Sequence, residues 1–169
     1  VIAVGTAMGL DAIAEARGRT ISPDEVEPVV WGALQVGRSI SGGDYLRALN
    51  ALHLLGRRMG DFHERFHLLL TPTLAEPPAV LGRFAMTNPD FLDYRLGPNG
   101  LWRYTPFTPL ANATGAPAIS LPVGTSGSGL PIGAMLAAPL GGDALLLRIA
   151  AQWEAATPQR RTIATMNQG

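Results

Sequence analysis

The chain contains neither cysteine nor lysine, and all thirteen of its basic residues are arginine. Without cysteine it can form no disulfide, no thiolate nucleophile and no cysteine-ligated metal centre. Without lysine there is no ε-amine to serve as a catalytic base. An excess of one charge is also missing. Thirteen acidic residues balance the arginines, with no basic block and no interleaving of basic and aromatic residues, so nucleic acid is not an expected partner. Apolar runs stop well short of the roughly 20 residues that cross a bilayer, and no membrane partner is expected. The opening VIAVGTAMGL has no leading Met and no basic n-region of the kind a secretory signal carries. It reads as a helix already under way in a longer polypeptide. Absence of both Cys and Lys fits a cytoplasmic protein from a GC-rich genome.

What is present is a strongly apolar composition. With 47% hydrophobic and 15% charged residues, the 169-residue chain suits a buried, layered α/β interior rather than a disordered segment. A compact domain of this length buries roughly 70% of its unfolded surface.

Local signals predict a helical first part, residues 1–67. Val1–Arg17 reads as a helix carrying Ile2, Met8, Ile13 and Ala16, closed by Gly18. Ser22-Pro23-Asp24-Glu25 has the form of a capping box with proline at the first helical position, and predicts a helix from there to about Val36, ended by Gly37. Ser41 with Asp44 predicts a further start. Beyond it Tyr45, Leu49, Leu52, Leu55, Met59, Phe62 and Phe66 recur at helical spacing along one long amphipathic helix.

Residues 68–156 read as a strand-loop-strand-helix segment. Leu68–Thr71 is a short apolar run ended by Pro72, consistent with a strand buried on both faces of a parallel or mixed sheet. Pro72–Asn99 is predicted to be mostly loop, with a short helix around Phe91; loops of that length are usually functional or disordered. Ala118–Val123 and Ile132–Ala137 are the other strands, joined by the turn Gly124–Gly129, and Asp143–Ala156 is the last helix. Residues 157–169 form a polar tail. Three strands make a small sheet, yet Leu68–Thr71 and Ala118–Val123 both have the composition of central strands. The sheet is therefore expected to be incomplete in this chain, finished by upstream polypeptide or by self-association.

Several constellations bear on chemistry. His63-Glu64-Arg65-Phe66-His67 is a literal H-E-x-x-H, which on a helix sets two imidazoles one turn apart with a Glu between them as general base. A third ligand is wanting: His53 lies too far along the axis, and Asp90, Asp93 and Glu154 have no supporting context. The plainer reading places His63 and His67 beside the apolar stripe, with no metal and no cofactor. A Ser–His–Asp triad from Ser39, Ser41 or Ser120 with these histidines and Asp61 lacks a G-x-S-x-G elbow. Gly124–Gly129 lacks the Gly-Lys-Ser/Thr ending of a phosphate loop and leads into a strand.

Phe107, Thr108, Asn112 and Thr114 form the best candidate for a substrate-facing surface, in a stretch punctuated by Pro and Gly. For Asn112 and Thr114 the alternative is architectural, satisfying nearby backbone groups at turns. The aromatic residues Phe84, Phe91, Tyr94, Trp102, Tyr104 and Phe107 either line an apolar acyl pocket or pin the long loop onto the core.

The run Thr105–Pro131 and the helix after it carry a longer pattern, FT-x-x-x-N-x-TG-x-PA-x-S-x-P-x-G, then GLP-x-G, then a helix with LL and a Glu. The matching residues are Phe107, Thr108, Asn112, Thr114, Gly115, Pro117, Ala118, Ser120, Pro122, Gly124, Gly129, Leu130, Pro131, Gly133, Leu146, Leu147 and Glu154. In this the chain resembles the C-terminal portion of the amidase-signature hydrolases, over roughly Glu25 to Glu154. The resemblance implies an α/β/α fold around a mixed sheet, with residues 1–67 and 68–156 together part of one larger domain. It also implies hydrolysis of a small amide through a serine–serine–lysine triad. That triad and the family's Gly-Ser-Ser-Gly loop lie outside this sequence, so no residue here is expected to be nucleophile or base. The chain is expected to be inactive alone. A non-catalytic scaffold derived from the same fold is the alternative, with a zinc hydrolase using His63, Glu64 and His67 behind it.

Overall fold

The computed structural model describes residues 1–157. Ten regular elements follow in order: α1 (Ile2–Arg17), α2 (Pro28–Ser39), α3 (Gly42–His63), β1 (Leu69–Pro72), α4 (Phe91–Leu96), α5 (Leu101–Tyr104), α6 (Thr108–Thr114), β2 (Ala118–Thr125), β3 (Pro131–Ala137) and α7 (Asp143–Ala156). The polar tail expected beyond Thr157 lies outside the described residues. No helix among them is long and apolar enough to cross a membrane.

α1 ends where its sequence directs, at Gly18 in the left-handed conformation (φ 64°), with the N–H of Arg19 returning to the Ala14 carbonyl. The second helix departs from expectation. Ser22–Glu25 does close on itself, the Glu25 carboxylate accepting from the Ser22 N–H at 3.0 Å, but only a three-residue 3₁₀ turn results. The cause is Pro28. Inside a helix begun at Pro23 it would delete a backbone hydrogen bond and press its ring on the preceding turn. Glu27 is instead extended (ψ 145°), and α2 restarts with Pro28 in its first turn. It then runs through Gly37 to Ser39.

Gly37 stays inside α2 because α1 crosses there. A Cβ on Gly37 would stand 2.1 Å from the Ala3 carbonyl oxygen and 2.9 Å from the Ala7 Cβ. The contact is built from small residues, so α1 buries Ala3 and Ala7 while Ile2, Met8 and Ile13 remain exposed. Val29 and Ala33 of α2 and Phe91 of α4 complete this helical core, flanked by Val36, Ile40 and Tyr94.

α3 is capped by Ser41, whose hydroxyl accepts from the Asp44 N–H at 3.1 Å. Its stripe Tyr45, Leu49, Leu52, Leu55, Met59 and Phe62 is half-buried, but no residue of the helix is fully buried. α3 rests on α6 and has one side largely uncovered.

The sheet has the order β1-β3-β2, antiparallel throughout. β3, not Leu68–Thr71 or Ala118–Val123, is therefore the central strand, and β1 and β2 are edges of the described sheet. β1 pairs antiparallel with β3. β2 carries an irregularity between Pro122 and Gly124. At that point the Pro122 carbonyl accepts the Trp153 indole N–H at 3.0 Å, which ties α7 to the strand. Leu121, Met135, Ala137, Ala138 and Leu146 are the buried apolar residues of this half.

Two predictions follow from these contacts. Gly37→Ala should lower the urea unfolding midpoint, at a cost of about 1–3 kcal/mol, by forcing α1 off α2. The second concerns Glu25, which receives both Arg19 guanidinium nitrogens at 2.7 and 2.8 Å and has Arg17 at 3.4 Å. The Arg19 hydrogen bonds, then the Ser22 N–H, lower its pKa to about 2. A lowered carboxylate pKa contributes stability above the unfolded value of roughly 4.3, lost as pH falls toward 2. Carboxyl NMR titration should place Glu25 near that value, and Arg19→Ala should return it most of the way to the ordinary range.

Candidate functional site

The site is assembled over a glycine. Beyond β1 the Thr73 N–H donates to the Gly133 carbonyl at 3.0 Å, extending the β1–β3 ladder by one residue. Thr73 and Ser120 then reach toward each other across the central strand, and their hydroxyls hydrogen-bond at 2.6 Å. Only a missing side chain at Gly133 leaves room. A Cβ there would lie 2.7 Å from Thr73 Oγ1 and 2.9 Å from Ser120 Oγ.

This hydroxyl pair separates two open cavities. One, of about 520 Å³, lies between the sheet and α6; its sheet side includes Thr73, Ile119, Ser120 and Met135, and its helix side Thr108, Ala111 and Asn112. The other, of about 540 Å³, runs under residues 72–78 and is lined across from them by Ser120, Pro122, Pro131, Ile132 and Gly133. Thr73 and Ser120 belong to both.

Of the four residues expected to face substrate, two reach the first cavity. The segment is a helix rather than a turn-rich loop, with Phe107 at its N-cap and Pro109 in its first turn. One helical turn separates Thr108 from Asn112, so both line the cavity. Thr114 bonds back to the Leu110 carbonyl at 2.8 Å, and neither it nor Phe107 lines either cavity. Asn112 shares the architectural habit, its Nδ2 donating to the Thr108 carbonyl at 3.0 Å. That bond leaves Oδ1 as an acceptor beside the cavity.

The sequence model of the amidase family matches residues 3–147. The chain belongs to the amidase family. Among its relatives, the putative amidase AmiC of Mycobacterium tuberculosis (strain ATCC 25618 / H37Rv) is 39% identical over 145 residues, which are 85% of this chain and 29% of that protein. The 6-aminohexanoate-cyclic-dimer hydrolase of Pseudomonas sp. (strain NK87) is 30% identical over 158 residues, 92% of this chain and 32% of that one. A solved structure of a 6-aminohexanoate cyclic dimer hydrolase superposes with a TM-score of 0.81 at 27% identity, covering 93% of this chain and 33% of its own. The chain thus spans about a third or less of the length of these relatives.

Within this amidase-family chain the competing motifs lose their geometry. α3 ends at His63, with Glu64 as its C-cap, and the Phe66 carbonyl lies 3.0 Å from His63 Nδ1. His67 is therefore off the helix, not one turn along it as H-E-x-x-H requires. Asp90 caps α4 through the N–H groups of Leu92 and Asp93, and Asp93 accepts from Asn88. Among the described residues no group of three or more His, Asp or Glu side chains is arranged to hold a metal ion. The three serines considered for a triad are committed elsewhere: Ser39 to the Val36 carbonyl, Ser41 to its cap, and Ser120 to Thr73. Among the described residues the Ser120 hydroxyl is bonded to Thr73 and to no imidazole or carboxylate.

Sequence reasoning did not single out Thr73; Ser120 entered it as a triad candidate and as one residue of the family pattern. They are 47 residues apart, and no local period connects them. The available signals were Ser120 and Gly133 within the family pattern. Gly133→Ala should cost about 1–3 kcal/mol in urea unfolding, and Ser120→Ala about 1 kcal/mol. The double variant should lose less than the sum, because both changes break the same hydrogen bond.

Proposed function

We propose that this chain is the C-terminal part of an amidase that hydrolyses carbon–nitrogen amide bonds with a serine nucleophile on the preceding polypeptide, and that it is inactive alone. The observation carrying this reading is the juxtaposition of Thr73, Ser120, Thr108 and Asn112 around one cavity in an amidase-family chain that contains no lysine. A bound amide presents one acceptor and, unless fully substituted, a donor. The Thr73 and Ser120 hydroxyls can serve either, and Asn112 Oδ1 can accept from the amide nitrogen. The chain's share of the work is then to bind and orient, while charge and proton transfer come from the missing part.

The partner in this reading is the upstream part of the same amidase, with self-association as the alternative, and residues 1–67 and 68–156 are segments of one larger domain. Surface area supports a partner of some kind. The chain exposes 11672 Å², whereas a compact monomer of 17.8 kDa exposes about 8,000 Å². Exposed apolar side chains on α1, on α3 and at Leu70 and Leu147 are part of that excess. A cytoplasmic location, consistent with a chain that has no disulfide to form, completes the proposal.

The test is coexpression with the polypeptide that precedes the matched region in a related amidase, followed by ammonia release from hexanamide. Activity from the pair and none from the chain alone is the expected result. Turnover by the chain alone would overturn the assignment of the nucleophile. A stable but inert pair would favour a scaffold that has kept the fold and lost the chemistry.

A further inference from the structure

Residues 73–84, TLAEPPAVLGRF, contain no helix and no strand, yet their first half, 73–78, forms one wall of the second cavity. What holds them converges on one side chain. The Tyr104 carbonyl accepts from the Ala75 N–H at 3.0 Å, and the Tyr104 hydroxyl accepts from the Ala79 N–H at 2.9 Å. Its ring meets Phe84 at 5.0 Å between centroids and lies under the Arg83 guanidinium at 5.5 Å. Arg83 in turn is bonded to Glu76 at 2.8 Å, closing the segment on itself. That hydrogen bond holds the Glu76 carboxyl below its ordinary pKa. Tyr104 thus touches the segment at its beginning, middle and end, and is itself placed by the short helix α5.

The wall so held is unlike the first cavity. Pro72, Leu74, Pro77 and Pro78 face Pro122 and Ile132, with Glu76 the one charged side chain in the lining among the described residues. A groove of this composition fits an aliphatic chain and offers an amide group little, whereas the hydroxyl pair at its boundary offers an amide a great deal.

We propose that Tyr104 is a latch, a positioning residue that holds the 73–84 strap against the sheet and so shapes a groove for the aliphatic part of an amide whose polar end sits at Thr73 and Ser120. The ligand half rests on the amidase reading above; the latch does not. Opening the latch needs no unfolding of the sheet, because the strap joins the β1–β3 ladder only through its first residue, Thr73. Much of the strap's hold is side-chain contact and a single exposed ion pair, the kind of arrangement that opens locally at low cost.

Hydrogen–deuterium exchange on the full chain tests both halves. Tyr104→Phe keeps the ring and the backbone carbonyl and removes only the hydroxyl. It should speed exchange at Ala79 about five- to tenfold, leave Ala75 nearly unchanged, and leave the α2 amides as in wild type. Tyr104→Ala should extend the gain to residues 80–84. If it also speeds the α2 amides, the chain has unfolded and Tyr104→Phe alone decides. Unchanged exchange at Ala79 in Tyr104→Phe, or strap exchange in wild type already at the rate of a free peptide, overturns the latch. Hexanamide should slow strap exchange in wild type, while acetamide at equal concentration should not. Equal effects, or none, overturn the aliphatic groove while leaving the latch standing. The coexpression assay judges the amidase reading separately.

Discussion

Everything in the C-terminal half depends on one strand serving two neighbours. β3 is the shared partner of β1 and β2, so its seven residues bring together segments that are some fifty positions apart in the chain. The constraint tightens at Gly133. Its carbonyl extends one ladder to Thr73, and its missing side chain admits the Thr73–Ser120 bond above it. A side chain at that position would push on both hydroxyls at once. Both cavities share those hydroxyls, so the shape of the site is set by an absence in the central strand.

The helical half is organised by a similar economy. α1 and α2 meet through Ala3, Ala7 and Gly37. Contacts between small residues bring backbones close and bury little apolar area per residue. The larger side chains of α1 are left facing outward, and the long stripe of α3 is only half covered. The chain matches about a third or less of its relatives' length.

Legibility in the sequence followed the range of the forces involved. The ends of α1, the Ser41 cap, the β2 and β3 segments and the extent of α7 were readable because capping chemistry and period act over a few residues. The capping box at Ser22 misled because a second local signal, Pro28, lay within the same window and prevailed. Thr108–Thr114 is helical despite its Pro and Gly, since Pro109 falls in the first turn and Gly115 just past the last. Composition foretold an incomplete sheet but not the order of its strands, since apolar residues do not say which strand pairs with which. The Thr73–Ser120 contact was out of reach for the same reason, because it exists only once the register of three strands is set.

The bond between Trp153 and Pro122 has a consequence for how the sheet can grow. A strand arriving alongside β2 would look for a donor and an acceptor at each outward-facing residue. At Pro122 it finds no N–H, since proline has none, and a carbonyl already taken by an indole. Pro122 thus divides β2, and the stretch before it, Ala118–Leu121, is about 13 Å long. The edge is polarised, receptive at one end and sealed at the other.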